Sequence, residues 1–215
     1  MGAEDMAEYT GPVAVLLAGG LARRMGGGDK PLRLLQGRPL LDHVIARIRP
    51  QVRALVLNAN GDAARFARWG LEVVADPLPD FPGPLAGVLA GMRWAAARYP
   101  DAEAVLSVPT DTPFLPADLV ARLDAARAAA GLPIACAASG GRTHPVIALW
   151  PVALADALEA GLRAGERKID AWTARYGVAE AAFDDAAGDP FFNVNRPEEL
   201  GEAERRGAEN VPPQI

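Results

Sequence analysis

A chain of 215 residues, half of them hydrophobic, can bury a sizeable core and suits one large α/β domain better than two small ones. A formal net charge of −5 argues against a surface built to coat nucleic acid, so any cluster of positive charge is a local feature and its ligand should be small and anionic. One cysteine, Cys136, excludes an intramolecular disulfide and a thiolate zinc cage, in keeping with a reducing cytosol, and reads as a small core hydrophobe.

Residues 1–10 carry Glu4, Asp5 and Glu8 without an apolar stretch, so no signal peptide is expected, and Met6 stands where an N-myristoylation motif needs Ser or Thr. No run approaches the ~20 apolar residues that span a bilayer. The expectation is a soluble cytoplasmic chain, with 1–11 an N-terminal extension, 12–206 the domain and 207–215 a C-terminal tail.

Val13 to Leu17 is a short apolar run that predicts a strand, and it enters a loop, residues 18–31, dense in glycine and positive charge. Glycines let a backbone approach a phosphate with its N–H groups free to donate, while Arg23, Arg24 and Lys30 can neutralise several phosphate charges. Two familiar motifs fail here. Pro31 follows Lys30 where a P-loop needs Ser or Thr, and the same proline replaces the third glycine of a dinucleotide fingerprint.

Leu40, Leu41, Val44, Ile45 and Ile48 recur at helical spacing after Pro39, and Pro50 should end that helix. Residues 54–58 predict a strand, 63–69 a brief helix stopped by Gly70, and 71–75 the next strand. Alternation of this kind calls for a parallel sheet with right-handed crossovers, and it delivers Asn58 and Asp76 at strand carboxyl ends, where open α/β sheets bind ligands. The proline-rich stretch 76–87, anchored by Phe81 and Leu85, reads as an ordered pocket wall.

A helix over 85–98 and a buried strand over 104–108 lead into Pro109-Thr110-Asp111-Thr112-Pro113. Asp111 in that setting suits a Mg²⁺ ligand, because Mg²⁺ takes few protein oxygens, and it equally suits an aspartate capping a turn. Residues 117–129 predict a helix, 134–138 and 145–150 a pair of strands joined by a glycine-containing turn, 151–162 and 169–176 helices, and 178–183 a last strand. Asn193 and Asn195 alternate, so an extended backbone turns both to one face before the Pro197-Glu198-Glu199 helix start.

Leu17-Ala18-Gly19-Gly20, followed by Arg23-Arg24-Met25-Gly26 and Lys30, follows the nucleotidyltransferase signature Leu-Ala-Gly-Gly-x-x-x-Arg-Met-Gly-x-x-(x)-Lys. The chain resembles most closely the molybdenum cofactor guanylyltransferases, the molybdopterin-guanine dinucleotide synthases. The likeness continues through Leu57-Asn58-Ala59-Asn60, the Asp76 to Gly87 stretch, Pro109 to Pro113, Thr143-His144-Pro145, Ala164 to Arg167 and Phe192 to Asn195. It departs at Gly28, where members vary, and in the acidic N-terminal extension.

The resemblance implies an α/β chain with a three-layer Rossmann-like nucleotidyltransferase fold, a mostly parallel central sheet bearing helices on both faces. It implies an Mg²⁺-dependent transfer of GMP from GTP to the terminal phosphate of molybdenum-bearing molybdopterin, with pyrophosphate released. Arg24 and Lys30 would stabilise charge on the triphosphate and Asp111 would hold Mg²⁺. Leu17, Ala18, Gly19, Gly20 and Lys30 would line the phosphates, with Asn58 and Asp76 on the guanosine, where one carboxylate can accept from both N1–H and the N2 amine.

Asn193 and Asn195, where related cytidylyltransferases tend to carry an aspartate, would hydrogen-bond the acceptor's pterin or phosphate or assist the metal. His144 echoes a family His-Pro and is assigned no chemistry. Implied partners are GTP, molybdopterin, and apo-molybdoenzymes or their chaperones, with no nucleic acid and no membrane. The rival readings are a cytidylyltransferase or sugar-phosphate nucleotidyltransferase of the same fold, and a non-catalytic carrier of GTP and molybdopterin.

Overall fold

The computed structural model describes residues 11–18, 29–78 and 83–209. The expectations for Gly19, Gly20, Arg23, Arg24 and Phe81 lie outside the described residues. β1 is Val13–Leu17, buried at every position, as its unbroken apolar sequence requires of a strand covered on both faces. It pairs in parallel with β4 (Leu55–Asn58) on one side and β6 (Ala104–Pro109) on the other.

The register aligns Leu17 with both Asn58 and Pro109, so the three carboxyl ends finish level and release their loops at one edge. With β5 (Glu72–Val74), β7 (Ile134–Ser139), β8 (Arg142–Pro151) and β9 (Val178–Ala182), the sheet has seven strands in the order β5-β4-β1-β6-β8-β7-β9. Only β8 runs against the rest.

The faces are covered by helices whose apolar spacing matches 3.6 residues per turn. α1 (Leu40–Ile48) and α3 (Leu119–Ala130) bury Leu41, Val44, Ile48, Leu119 and Leu123 against one face. α2 (Pro84–Arg98), α4 (Ala155–Arg163) and α5 (Ile169–Thr173) cover the other through Leu89, Met92, Leu158, Leu162 and Trp172.

α2 is buried nearly all round, and its closest approach to the sheet is through glycine. A Cβ on Gly91 would fall 2.6 Å from the Cβ of Val15, and one on Gly87 would fall 2.3 Å from Asn58 Oδ1. Those glycines seat the helix on β1 and β4. Gln51, buried at the end of α1, donates to the carbonyls of Arg47 and Pro116, both at 2.8 Å, and accepts from Val120 N–H at 3.0 Å. It thereby satisfies an open donor in the first turn of α3.

Several elements differ from the sequence reading. A small hairpin, β2 (Leu34–Leu35) and β3 (Arg38–Pro39), precedes α1 where none was expected. Its turn, Gln36-Gly37, has φ of 51° and 73°, both left-handed, and the Gln36 N–H donates to Glu204 at 2.7 Å. Leu35 and Leu40 form a third apolar cluster with Val194 and with Ala203 of α6 (Pro197–Glu209).

Residues 63–69 are a 3-10 helix, capped by Asp62. Pro50 sits inside a further 3-10 turn, Arg49–Gln51, rather than directly ending α1. The helix expected from 151 begins as a 3-10 turn at Val152 and becomes α4 at Ala155, because Pro151 still belongs to β8. α5 stops at Thr173, whose hydroxyl bonds back to the carbonyl of Ile169 at 3.0 Å.

Candidate active site at the carboxyl edge of the sheet

Leu17, Ala18, Asn58 and Asp111 stand at or just beyond the edge where β1, β4 and β6 end level, and Lys30 and Asn195 reach it through their side chains. Ala18 N–H donates to the carbonyl of Asn58 at 2.9 Å, and Thr110 donates through its N–H and its hydroxyl to the carbonyl of Leu17 at 3.3 and 3.2 Å. The exits of the three strands are thus laced together, which fixes Leu17, Ala18, Asn58 and Asp111 relative to one another.

Lys30 reaches back across the edge. Its ammonium lies on Asp111 Oδ2 and on Asn195 Oδ1, joining groups 81 and 165 residues away in sequence. The Lys30 and Asp111 side chains are each 15% exposed, open enough for a ligand to exchange with the pair. Asn195 is held there by its segment: Val194 is fully buried in the hairpin cluster, and its N–H donates to the Asp111 carbonyl at 2.9 Å. Asn193 accepts from the buried Thr112 hydroxyl at 2.6 Å. Both asparagines therefore face the Pro109–Pro113 turn.

On the other side of β1, Asp76 is gripped rather than free. Asn58 Nδ2 donates to its Oδ1 at 3.0 Å, and Asn60 Nδ2 donates to its Oδ2 at 2.7 Å while Asn60 Oδ1 accepts from the Asp76 N–H at 2.9 Å. A carboxylate oxygen has two lone pairs, so each keeps one for a ligand donor. Asn60 was quoted in the sequence only as part of a likeness. Its two-point hold on Asp76 makes it a member of the site, and its place two residues past Asn58, at the same strand exit, was the available signal.

Arg65 joins the two halves. It donates to the carbonyls of Asn60 at 2.7 Å and Asp62 at 2.5 Å and pairs with Asp29 at 2.8 Å, next to Lys30 in sequence, with its guanidinium over the Phe66 ring.

A further polar chain lies beside Asn193. Arg142 pairs with Asp189 at 2.6 Å, Asp189 accepts from Ser139 Oγ at 2.8 Å and from the Phe191 N–H at 2.9 Å, and Ser139 Oγ meets His144 Nε2 at 2.8 Å. Burial pushes the Asp189 carboxyl up, but the Phe191 N–H, the Ser139 hydroxyl and Arg142 outweigh it and leave it below the usual range. Burial holds the His144 ring below its ordinary value, with Asp189 opposing and Arg142 assisting. Burial also pushes the Cys136 thiol up to about 11, so it stays protonated and inert at neutral pH. No group of three His, Cys, Asp or Glu side chains converges on a metal-sized space among the described residues.

Among solved structures, the chain is similar to the molybdopterin-guanine dinucleotide biosynthesis protein A of Archaeoglobus fulgidus, with a TM-score of 0.72 at 24% identity over 92% of this chain and 99% of that one. It is also similar to the 4-diphosphocytidyl-2C-methyl-D-erythritol synthase of Anaerococcus prevotii, with a TM-score of 0.70 at 12% identity over 94% and 98%. The architecture is that of an α/β nucleotidyltransferase.

Residues 14–180 match the MobA-like NTP transferase domain, and the chain belongs to that family. It is 59% identical, over 93% of its own length and 96% of the relative's, to the molybdenum cofactor guanylyltransferase of Rhodopseudomonas palustris (strain BisB5). The molybdenum cofactor guanylyltransferase of Acidiphilium cryptum is 53% identical over 89% and 93%.

Proposed function

We propose that this chain transfers GMP from GTP to the terminal phosphate of molybdenum-bearing molybdopterin, releasing pyrophosphate. The observation that carries the reading is the convergence of Lys30, Asp111 and Asn195 at one edge, with a doubly held carboxylate, Asp76, on the far side of β1. A phosphate oxygen of the acceptor attacks the α-phosphorus in line, forming the new P–O bond as the bond to the β-phosphate oxygen breaks. The nucleophile is already anionic at neutral pH, so a general base is dispensable and the protein's work is positioning and charge stabilisation.

Lys30 would exchange its carboxylate and amide partners for phosphate oxygens, and Arg24 would add a second positive group on the triphosphate. Main-chain amides of the Leu17–Gly20 stretch would cradle the phosphates. Asp76 would accept from N1–H and the N2 amine of guanine, with Asn58 orienting the nucleoside. A base lacking that edge would leave a desolvated carboxylate unpaired.

The oxygens of Asp111 and Asn195 already converge on one cation, the Lys30 ammonium, and form the all-oxygen donor set that Mg²⁺ prefers. Asp111, with Asn195, would hold Mg²⁺, and the bound ion would neutralise triphosphate charge. The setting is cytoplasmic, with the product passed to apo-molybdoenzymes or their chaperones; among the described residues no helix is long and apolar enough to cross a membrane.

The test is incubation with molybdopterin and MgGTP or MgCTP in separate reactions, followed by mass measurement of the products. GMP addition with pyrophosphate release is expected. A cytidylyl product, or binding without pyrophosphate, would replace this reading with one of its rivals.

A further inference from the structure

The geometry points to His144 as the residue that reads the heterocycle of the acceptor, presenting Nδ1 as a hydrogen-bond acceptor to a pterin N–H or amine; this rests on the guanylyl-transfer reading above.

Hydrogen-bonded neighbours fix which ring nitrogen carries the proton. Ser139 has a single hydroxyl proton, and that proton is donated to Asp189, which Arg142 and the Phe191 N–H keep ionised. Ser139 Oγ can therefore only accept from His144, so Nε2 carries a proton; burial disfavours the charged ring, and in the neutral ring Nδ1 is a bare lone pair. No bond to Nδ1 is made among the described residues, and His144 is half-buried. A neutral imidazole with one nitrogen satisfied by a built hydrogen-bond chain and the other left open is suited to receive a donor.

The strand is bent to place it there. Ala148 pairs with Ser107 of β6 and with Cys136 of β7, yet the next residue of β7, Ala137, pairs with His144 instead of Ile147. β8 thus accommodates Pro145, Val146 and Ile147 in a bulge that brings His144 level with Val108, near the carboxyl end of β6. The bulge is supported from within: Ser107 Oγ donates to the Val146 carbonyl at 2.6 Å and accepts from Trp150 Nε1 at 2.8 Å.

The position also fits the direction of the acceptor. Asp76, the base-reading carboxylate, lies after β5 at one end of the sheet order, and Lys30 and Asp111 hold the phosphates beside β1 and β6. With the base on the β5 side and the phosphates beside β1 and β6, the β8 side is the part of that edge left for the acceptor. The His144 ring packs tilted against Phe191, centroids 4.7 Å apart, and the Val194 N–H bonds the Asp111 carbonyl, while the chain from Phe191 to Val194 spans at most about 10 Å. An acceptor with its phosphate at Asp111 passes Asn193 and brings its ring system to His144. Pterins carry a ring N–H and an exocyclic amine on one planar edge, which are donors that a bare Nδ1 can accept.

Nitrogen-15 NMR of histidine-labelled protein at pH 7 is expected to show a neutral Nε2–H ring at His144, with the Nδ1 resonance moving when molybdopterin is added anaerobically. A charged ring, an Nδ1–H tautomer, or an Nδ1 indifferent to saturating molybdopterin would overturn the proposal without bearing on turnover. In steady-state assays His144→Phe, which keeps a ring against Phe191, should raise KM for molybdopterin about tenfold, the weight of one hydrogen bond, with KM for GTP within about twofold as the control. Ser139→Ala, which frees the tautomer, should raise it about threefold and show a mixed tautomer by NMR. An unchanged KM for molybdopterin in both variants would sink the assignment. Failure of the unaltered protein to release pyrophosphate would instead sink the transfer reading, and the NMR titration would still decide His144.

Discussion

At the scale of single residues, the candidate site consists of charged and amide groups that hold one another in place. Lys30 is tied to Asp111 and Asn195, which on the proposed reading pre-positions it where triphosphate charge would arrive. Lys30→Ala should leave circular dichroism and the unfolding transition near those of the parent while pyrophosphate release falls on the order of 10²-fold or more, the usual cost of losing a pre-organised charge. Full activity in that variant would remove Lys30 from the mechanism. Asn60 touches no reacting atom in this scheme but holds Asp76 at two points. Asn60→Ala should lower the preference for GTP over CTP by about tenfold, measured as the ratio of kcat/KM values, because a swivelling carboxylate loses its registration with the guanine edge. A preference equal to the parent's would show that Asn58 alone aims the carboxylate.

At the scale of elements, the close seating of α2 on β1 and β4 brings the helix against Leu17 and Asn58. Gly91 sits directly on β1, with Val15 beneath it at both Cβ and Cγ1. Gly91→Ala should destabilise the fold by about 1–3 kcal/mol through overpacking, more than offsetting the helix propensity that alanine adds, and should lower the urea midpoint. Val15→Ala in the same chain should restore part of that loss, and simple additivity of the two would rule out a direct clash. The β2–β3 hairpin works at the same scale. With α6 it buries Val194, and Val194 sets Asn193 and Asn195 against the Pro109–Pro113 turn.

For the whole molecule, stability and the acceptor side of the site share titrating groups. The His144 ring takes up its proton at lower pH in the folded chain than in the unfolded one, whose value is about 6.5. Between those values the unfolded chain binds more protons, so stability falls as pH drops below about 6.5. Asp189 is also depressed; its contribution is complete above the unfolded carboxylate value of about 3.9 and is lost as pH falls through the folded one. The melting temperature should therefore be highest near neutrality, decline from pH 7 to 5.5, and decline further in acid. His144→Phe should remove the first decline and keep the second. A flat profile between pH 7 and 5.5 in the parent would contradict the burial of the ring.

Local composition determined much of this protein by itself. The unbroken apolar run of Val13–Leu17 read as a buried strand, the glycines and cations after it suited a phosphate ligand, and the alternation up to Asp76 called for a parallel sheet, because periods of 2 and 3.6 and the backbone freedom of glycine are written residue by residue. The tertiary structure alone decided that β1, β4 and β6 end level, that Lys30 meets Asn195 across 165 residues, that Asn60 grips Asp76, and that a bulge of three residues carries His144 to the edge. Those facts depend on strand order, register and side-chain reach between distant segments. No local period encodes them, since the same short patterns would be satisfied by several pairings, and only the simultaneous burial of both sheet faces selects one.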